Sequence, residues 1–217
     1  MANAMTLYGA PGFGSVAVEA ALKLLGVPYE AVDIAADDPD AFLAAAAQVN
    51  PLKQVPALVL PSGELMTESA AMMIWLADQH PEARMAPALD DPRRAQFLRW
   101  MIYIPAAIYS MFWVRDVPAR LAADPEAEKV VMERTAERIA ECWKLMDQQV
   151  NPGRYILGDD LSVLDLYVTM VSRWTPRRRR FYEVAPKMSE VVKRVDADPR
   201  LVDFWAERFP FSEGWEG

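Results

Sequence analysis

The chain has 217 residues, 53% of them apolar, and a formal net charge of −8. This length is compatible with one large domain or two small ones, either of which can bury a core. The negative charge argues against nucleic-acid binding, because affinity for nucleic acids comes largely from neutralising phosphates. A single cysteine, Cys142, and a single histidine, His80, argue against an internal disulfide and against a metal site.

The distribution of charges predicts a soluble, cytoplasmic protein. Arg99, Arg115 and similar residues interrupt each apolar run before the roughly 18 residues that a membrane span requires. The first residues lack the basic region and long apolar stretch of a secretion signal. The basic run from Arg177 to Arg180 could contact an anionic partner, but a solvated loop or helix end after Pro176 is the plainer interpretation.

Residues 5–82 alternate strand and helix signals. "MTLYGA" predicts a first strand, and "SVAVEAALKLLGV" predicts a helix closed by Gly26. "YEAVDI" and "PDAFLAAAAQV" predict a second strand and helix. "PALVLP" and "GELMTE" predict a hairpin around Ser62 and Gly63, followed by the helix "SAAMMIWLADQH". The order β-α-β-α-β-β-α predicts a mixed sheet flanked by helices.

The second half of the chain has a different pattern. Residues 83–92 contain two prolines and paired aspartates, which indicate a linker. From 93 to 217 almost every segment has helical period, so we expect an all-helical domain. Pro105 lies inside its first helix and predicts a kink near Ile102 and Tyr103. The segment "SVLD", Ser162 to Asp165, has the spacing of a capping box.

Three motifs in order give the chain a family resemblance. They are "NPLKQVPAL" from Asn50, "TESAAMMIWLAD" from Thr67 and "ILGDDLSVLDLYV" from Ile156. Each is weak alone, but together, in a chain of this layout, they resemble the cytosolic glutathione transferases over nearly the full length. The resemblance implies a thioredoxin-like N-terminal domain, an all-α C-terminal domain, a homodimer, and glutathione as co-substrate with no metal.

The first motif places Pro56 at the start of a predicted strand. An X-Pro bond tolerates the cis form far better than other bonds do. A cis Val55–Pro56 bond would turn the backbone groups of Val55 outward, where an extended peptide can pair with them. In the family the corresponding proline is cis, and the preceding residue binds the cysteinyl backbone of glutathione. The resemblance also assigns Gln54 to glutathione binding, and Lys53 is a candidate partner of the glycine carboxylate.

The second motif predicts a helix that begins near Glu68 or Ser69. Its unpaired N–H groups and positive dipole end favour an anion. By resemblance this anion is the α-carboxylate of the γ-glutamyl group, with Glu68 facing the ammonium. Capping of their own helix by these two residues is compatible with this role.

The loop "LYGAPGFGSVAVEA" is where the family places the group that stabilises the glutathione thiolate. Ser15 is our first candidate, as a hydrogen-bond donor, and Tyr8 is a second. Gly14 stands where the similar bacterial beta class carries cysteine, which removes mixed-disulfide chemistry. Gly12 and Gly14 permit close backbone approach, so main-chain N–H groups alone are a further alternative.

The resemblance predicts a second substrate between the domains. An apolar wall is expected from the loop and the first long helix of the second half: Phe13, Tyr103, Tyr109, Met111, Phe112 and Trp113. Packing in the core is the alternative for these side chains. The predicted function is conjugation of glutathione to a hydrophobic electrophile, as in detoxification. The alternatives are a glutathione-dependent isomerase of the maleylacetoacetate type, an ether-cleaving or dehalogenating lyase, and a non-catalytic interaction protein.

Overall fold

The computed structural model describes residues 4–34, 39–174 and 176–211. The described residues form a four-stranded sheet of order β2-β1-β3-β4. Strand β1 pairs with β2 in parallel and with β3 antiparallel, and β3 pairs antiparallel with β4. The mixed sheet confirms the predicted arrangement. The strands are β1 (Met5–Gly9), β2 (Tyr29–Asp33), β3 (Ala57–Val59) and β4 (Leu65–Met66).

Three helices accompany this sheet: α1 (Ser15–Leu25), α2 (Pro39–Ala47) and α3 (Ser69–Gln79). Gly26 ends α1 in the left-handed conformation with φ 66°, as its position in the sequence predicted. Every residue of α1 from Ser15 to Leu22 is buried. This helix packs on α3 and also on a helix of the second half, so it lies at the junction of the two halves.

The second half is helical, which confirms the predicted fold class. A π-helical segment, Ile104–Tyr109, follows α4 and contains Pro105, at the place where the sequence predicted a kink. The sequence analysis did not predict α8 and α10, and the domain boundaries remain predictions. The helices are α4 (Arg94–Tyr103), α5 (Ser110–Arg115), α6 (Pro125–Gln149), α7 (Val163–Val171), α8 (Arg177–Val184), α9 (Pro186–Asp196) and α10 (Val202–Arg208).

The continuous helical segment Arg94–Arg115 has the length and composition of a membrane span, with a mean hydropathy of 1.3. Its uncharged run is bounded by Arg99 and Arg115, as the sequence analysis noted, so the helix has this character by length and composition only. Phe97, Trp100 and Ile108 pack in the hydrophobic core, as expected for the core helix of a globular domain, which passes the same test. Since 39% of its most apolar window is buried, much of this helix remains uncovered.

The basic run differs from the expectation of a solvated segment. Arg178 is fully buried, and it donates to the carbonyl of Thr169 at 2.8 Å and to Asp196 at 2.8 Å. Arg173 shares the same carboxylate at 2.6 Å. One of the four arginines is thus a core residue, because an aspartate on α9 offers it a buried partner.

An ion-paired arginine of α10 links the two halves. Arg208 donates to Glu19 on α1 at 2.8 Å and to both carboxylate oxygens of Asp33 at the end of β2, at 2.6 and 2.7 Å. Burial raises the pKa of Glu19, while the hydrogen bonds from Arg208 lower the pKa of Asp33. Because Glu19 is only 5% exposed, its charge depends on this arginine.

The predicted capping box is present at the start of α7. Both side chains of the box make their reciprocal bonds. Oδ2 of Asp165 accepts from the Ser162 N–H at 2.8 Å and from its hydroxyl at 2.6 Å, and Oδ1 accepts from the Ile156 N–H at 2.8 Å. Asp165 is completely buried, and burial raises its pKa to about 6. This carboxyl group therefore satisfies three buried donors.

We predict that Asp165→Ala lowers the free energy of unfolding by about 3 kcal/mol, because it leaves buried donors without an acceptor. Urea unfolding followed by circular dichroism measures this loss. The control is Glu133→Ala, an exposed carboxylate of α6, which should leave the stability nearly unchanged. A loss below about 1 kcal/mol for Asp165→Ala would contradict the structural role.

We also expect Arg208→Met to destabilise the protein by about 3 to 5 kcal/mol, because it leaves the buried Glu19 carboxylate unpaired. Adding Glu19→Gln to this variant should restore much of the loss, since the buried charge is then absent. Arg134→Met, which removes an exposed pair with Glu137 on α6, is the matched control and should change little. Additive losses in the double variant would refute the coupling of Arg208 and Glu19.

Candidate functional site

The loop before β3 presents an unpaired stretch of backbone. The Val55–Pro56 bond is cis, as the resemblance implied. Asn50, 3% exposed, holds this loop: its Nδ2 donates to the Gln54 carbonyl at 2.9 Å and its Oδ1 accepts from the Leu52 N–H at 3.0 Å. In the described part of the chain, neither backbone group of Val55 has a hydrogen-bond partner. An extended peptide can pair with them.

Lys53 and Gln54 lie on the exposed side of this loop. The backbone of Lys53 has φ 56°, a left-handed conformation that is uncommon for residues other than glycine. The structure leaves both side chains open to solvent, where their predicted roles toward glutathione remain predictions. The sequence analysis did not single out Asn50, although it heads the first motif and fixes the loop.

The start of α3 lies beside the same backbone edge. Continuing the antiparallel register of Leu58 with Met66 by two residues brings Glu68 opposite Pro56. Glu68 is exposed, and its backbone has φ 65° and ψ 100°, a conformation that is costly for a side-chain-bearing residue. The helix begins at Ser69, as predicted, so its unpaired N–H groups lie near the Val55 edge.

Tyr167 of α7 completes this end of the site. Its hydroxyl lies 3.0 Å from the hydroxyl of Ser69, which is 7% exposed. Burial raises the pKa of Tyr167 to about 12, and the nearby Glu68 carboxylate raises it as well. Tyr167 therefore remains neutral and fixes Ser69 to the helical half. The sequence analysis did not identify Tyr167, because the residue occupies one position of a largely apolar helix and no motif distinguishes it.

Ser15 has a structural role in the loop that precedes α1. Its side chain is fully buried, and its hydroxyl donates to the Ala10 carbonyl at 3.2 Å and accepts from the Ala10 N–H at 3.1 Å. A Cβ atom on Gly9 would overlap Ser15, so the two are in close contact. This hydroxyl is thus already engaged as a donor and as an acceptor within its own loop. The geometry thus disfavours our first candidate for thiolate stabilisation.

Tyr8 faces the other side of the sheet from Ser15. Side chains of a strand alternate between faces, and Gly9, the next residue, faces α1. Tyr8 pairs with Val32 and Ala57 in the centre of the sheet. The structure therefore does not bring Tyr8 to the first turn of α1.

An aromatic cluster from the helical half faces the loop at residues 10–14. The ring of Tyr109 lies 4.8 Å from Trp174 and 6.4 Å from Phe112, between centroids. Trp174 donates its indole N–H to the Gly12 carbonyl at 2.8 Å. The sequence analysis did not single out Trp174, because no sequence signal connects it with a residue 162 positions earlier.

The remaining predicted wall residues are dispersed. Phe13 is 36% exposed and stacks on Phe42 of α2 at 5.4 Å. Trp113 is half-exposed, with the Arg120 guanidinium over its ring at 4.5 Å. Tyr103 donates its hydroxyl to the Cys142 carbonyl on α6 at 3.1 Å, so its polar end is held by the helical core. The structure thus places Tyr109 and Phe112 side by side, whereas the Tyr103 hydroxyl points toward α6.

The described residues hold no group of three histidine, cysteine, aspartate or glutamate side chains placed to bind a metal ion. The site instead offers backbone donors and acceptors, one carboxylate and several hydroxyls. These groups suit a zwitterionic peptide beside an apolar surface.

Comparison with known proteins identifies the family. The family model for the glutathione S-transferase N-terminal domain matches residues 15–79, and the model for the C-terminal domain matches residues 117–208. The chain is 31% identical over 196 residues to an Escherichia coli (strain K12) protein described as an uncharacterized GST-like protein, YncG, covering 90% of this chain and 94% of that one. It is 25% identical to the glutathione S-transferase GstA of Escherichia coli O157:H7, over 92% and 96% of the two chains.

A solved structure agrees with these matches. The glutathione transferase homologue from Sulfitobacter, crystallised with bound glutathione, has a TM-score of 0.78 and 25% identity, covering 94% of this chain and 97% of that one. Together the two family models span more than half of the sequence. The chain therefore belongs to the glutathione S-transferase family.

Proposed function

We propose that this protein binds glutathione between the Val55 edge and the start of α3, and transfers its sulfur to a hydrophobic electrophile. The observation that carries the proposal is the unpaired backbone of Val55 next to the anion-binding end of α3, with Glu68 beside both. A scaffold protein has no need of this combination. The glutathione bound in the Sulfitobacter homologue supports the same co-substrate here.

Each part of the tripeptide has a partner in this arrangement. The cysteinyl backbone pairs with the N–H and C=O of Val55. The γ-glutamyl carboxylate accepts from the N–H groups at the first turn of α3 and from the Ser69 hydroxyl. Its ammonium faces the Glu68 carboxylate. This placement directs the thiol toward the first turn of α1.

The reaction is substitution or addition at carbon. The thiol loses its proton to water, the sulfur forms a bond to the electrophilic carbon, and a leaving group such as halide departs with the electron pair of its bond. The protein contributes a lowered thiol pKa and a fixed position of the sulfur. The electrophile then packs against the ring of Tyr109, backed by Phe112, and against Phe13 across the loop.

The proposed assembly is a homodimer that contacts through α4. Leu98 and Ile102 lie one turn apart on this helix and are 38% and 53% exposed. An exposed apolar pair on a helix that is largely uncovered indicates an interaction surface. We place the protein in the cytoplasm, where thiols are kept reduced and glutathione is available.

We predict that glutathione binds in isothermal titration calorimetry, and that Glu68→Gln weakens binding roughly 10- to 100-fold through loss of a charge-assisted contact. The loss should vanish for N-acetylglutathione, which lacks the ammonium. Glu64→Gln, an exposed carboxylate of the same hairpin, is the matched control and should bind normally.

Absence of glutathione binding by the unaltered protein would refute the proposed function. Binding with no conjugation of chloronitrobenzene or other aryl halides would favour an isomerase, a lyase or a disarmed relative. Equal losses for Glu64→Gln and Glu68→Gln would remove Glu68 from the ammonium site.

Sedimentation velocity tests the assembly. We expect the unaltered protein to sediment as a dimer, and the double variant Leu98→Glu, Ile102→Glu to sediment as a monomer because burying two carboxylates is unfavourable. Leu89→Glu changes an equally apolar residue that is 82% exposed outside α4, and it should remain dimeric. A monomeric unaltered protein would contradict the proposed interface.

A further inference from the structure

The hydroxyl of Tyr109 lies against Gly14, just before the first turn of α1. A Cβ atom built on Gly14 would be 2.6 Å from this oxygen and 3.5 Å from Cδ of Pro56. The backbone of Gly14 has φ −59° and ψ −20°, a right-handed conformation open to any residue. Glycine is therefore needed here for space, and the phenol oxygen occupies the position toward which a side chain would point.

From this arrangement we propose that Tyr109 donates the hydrogen bond that stabilises the glutathione thiolate. The inference rests on the proposed function and deepens it. It assigns the catalytic hydroxyl to the helical half, in place of the buried Ser15 of the loop. The phenol, Gly14 and Pro56 meet at one point, next to the backbone that the cysteinyl residue of glutathione would pair with.

The Tyr109 hydroxyl is available to donate a hydrogen bond to a ligand. Among the described residues it has no hydrogen-bond partner, whereas the hydroxyls of Tyr29, Tyr103 and Tyr167 contact Glu19, the Cys142 carbonyl and Ser69. Tyr109 is half-buried and its oxygen is not among the buried polar atoms that lack a partner, so the hydroxyl keeps an open side. A ligand atom can accept its hydrogen bond from that side.

The position of this hydroxyl is fixed from both sides. Tyr109 is the last residue of the π-helical segment, a local geometry that is frequent at functional sites. Its ring packs on Trp174, and Trp174 is bonded to the carbonyl of Gly12 in the loop. The same indole therefore positions the phenol and the loop relative to each other.

The surroundings keep the phenol protonated. Burial raises the pKa of Tyr109 above its usual value, and Tyr167, Asp116 and Glu68 raise it further. At neutral pH Tyr109 is thus a donor and not a base. It holds its proton throughout, and the thiol proton leaves to water before the sulfur attacks.

The first test measures the pKa of the thiol of bound glutathione. The ultraviolet absorbance of the thiolate is recorded as the pH is varied. In the unaltered protein we expect a thiol pKa below that of free glutathione. In Tyr109→Phe we expect it to rise by about one pH unit, with turnover reduced about tenfold and glutathione affinity nearly retained. Tyr29→Phe removes a tyrosine hydroxyl that contacts Glu19 outside the site, and it should leave the thiol pKa and turnover unchanged.

The two proposals fail in different ways. If the unaltered protein does not bind glutathione, the proposed function is refuted. If it binds and turns over but Tyr109→Phe has an unchanged thiol pKa, the proposed function stands and the role of Tyr109 is overturned.

A second test uses the close contact with Gly14. Gly14→Ala places a Cβ atom 2.6 Å from the phenol oxygen, so it should displace Tyr109, raise the thiol pKa and lower turnover. In the Tyr109→Phe background the same change meets a ring carbon at 3.4 Å and should have little further effect on either quantity. Independent, additive effects of the two substitutions would overturn the proposal, and thermal unfolding of all variants checks that each is folded.

Discussion

Both backbone groups of Gly12 are hydrogen-bonded to the helical half, and the position of the loop beside the candidate site depends on these two bonds. Its N–H donates to the Arg208 carbonyl at 2.8 Å, and its carbonyl accepts from Trp174 at 2.8 Å. Gly12 has φ 77°, a conformation that glycine adopts without strain. The loop that leads into α1 is thereby held by residues far along the chain, and its approach to Tyr109 is set by the packing of two domains.

The site therefore draws on both halves in different ways. The sheet side supplies the backbone of Val55 and the start of α3, the two proposed glutathione-binding elements, whose geometry the local sequence specifies. The helical side supplies Tyr167 behind Ser69 and Tyr109 opposite Gly14. In the proposed site, glutathione binding and thiol activation thus draw on different parts of the fold.

Ion pairs of arginines also join parts of the chain that are distant in sequence. Arg208 holds Glu19 and Asp33, while Arg173 and Arg178 share Asp196. Each of these arginines pairs with a carboxylate on another part of the chain, so the pairs help to fix how helices lie against each other. Arg208 in particular joins α10 to α1 and to the end of β2, on either side of the loop that leads into α1.

The sequence alone determined the order of elements in the first half, the sheet class, the capping box at Ser162 and the helix start at Ser69, because each depends on a few neighbouring residues. It also identified the family through three motifs. Only the tertiary structure decided that Ser15 is buried, that Arg178 is a core residue, and that the Tyr109 hydroxyl meets Gly14. These outcomes depend on contacts between residues that are distant in sequence, and a local sequence pattern does not predict such contacts.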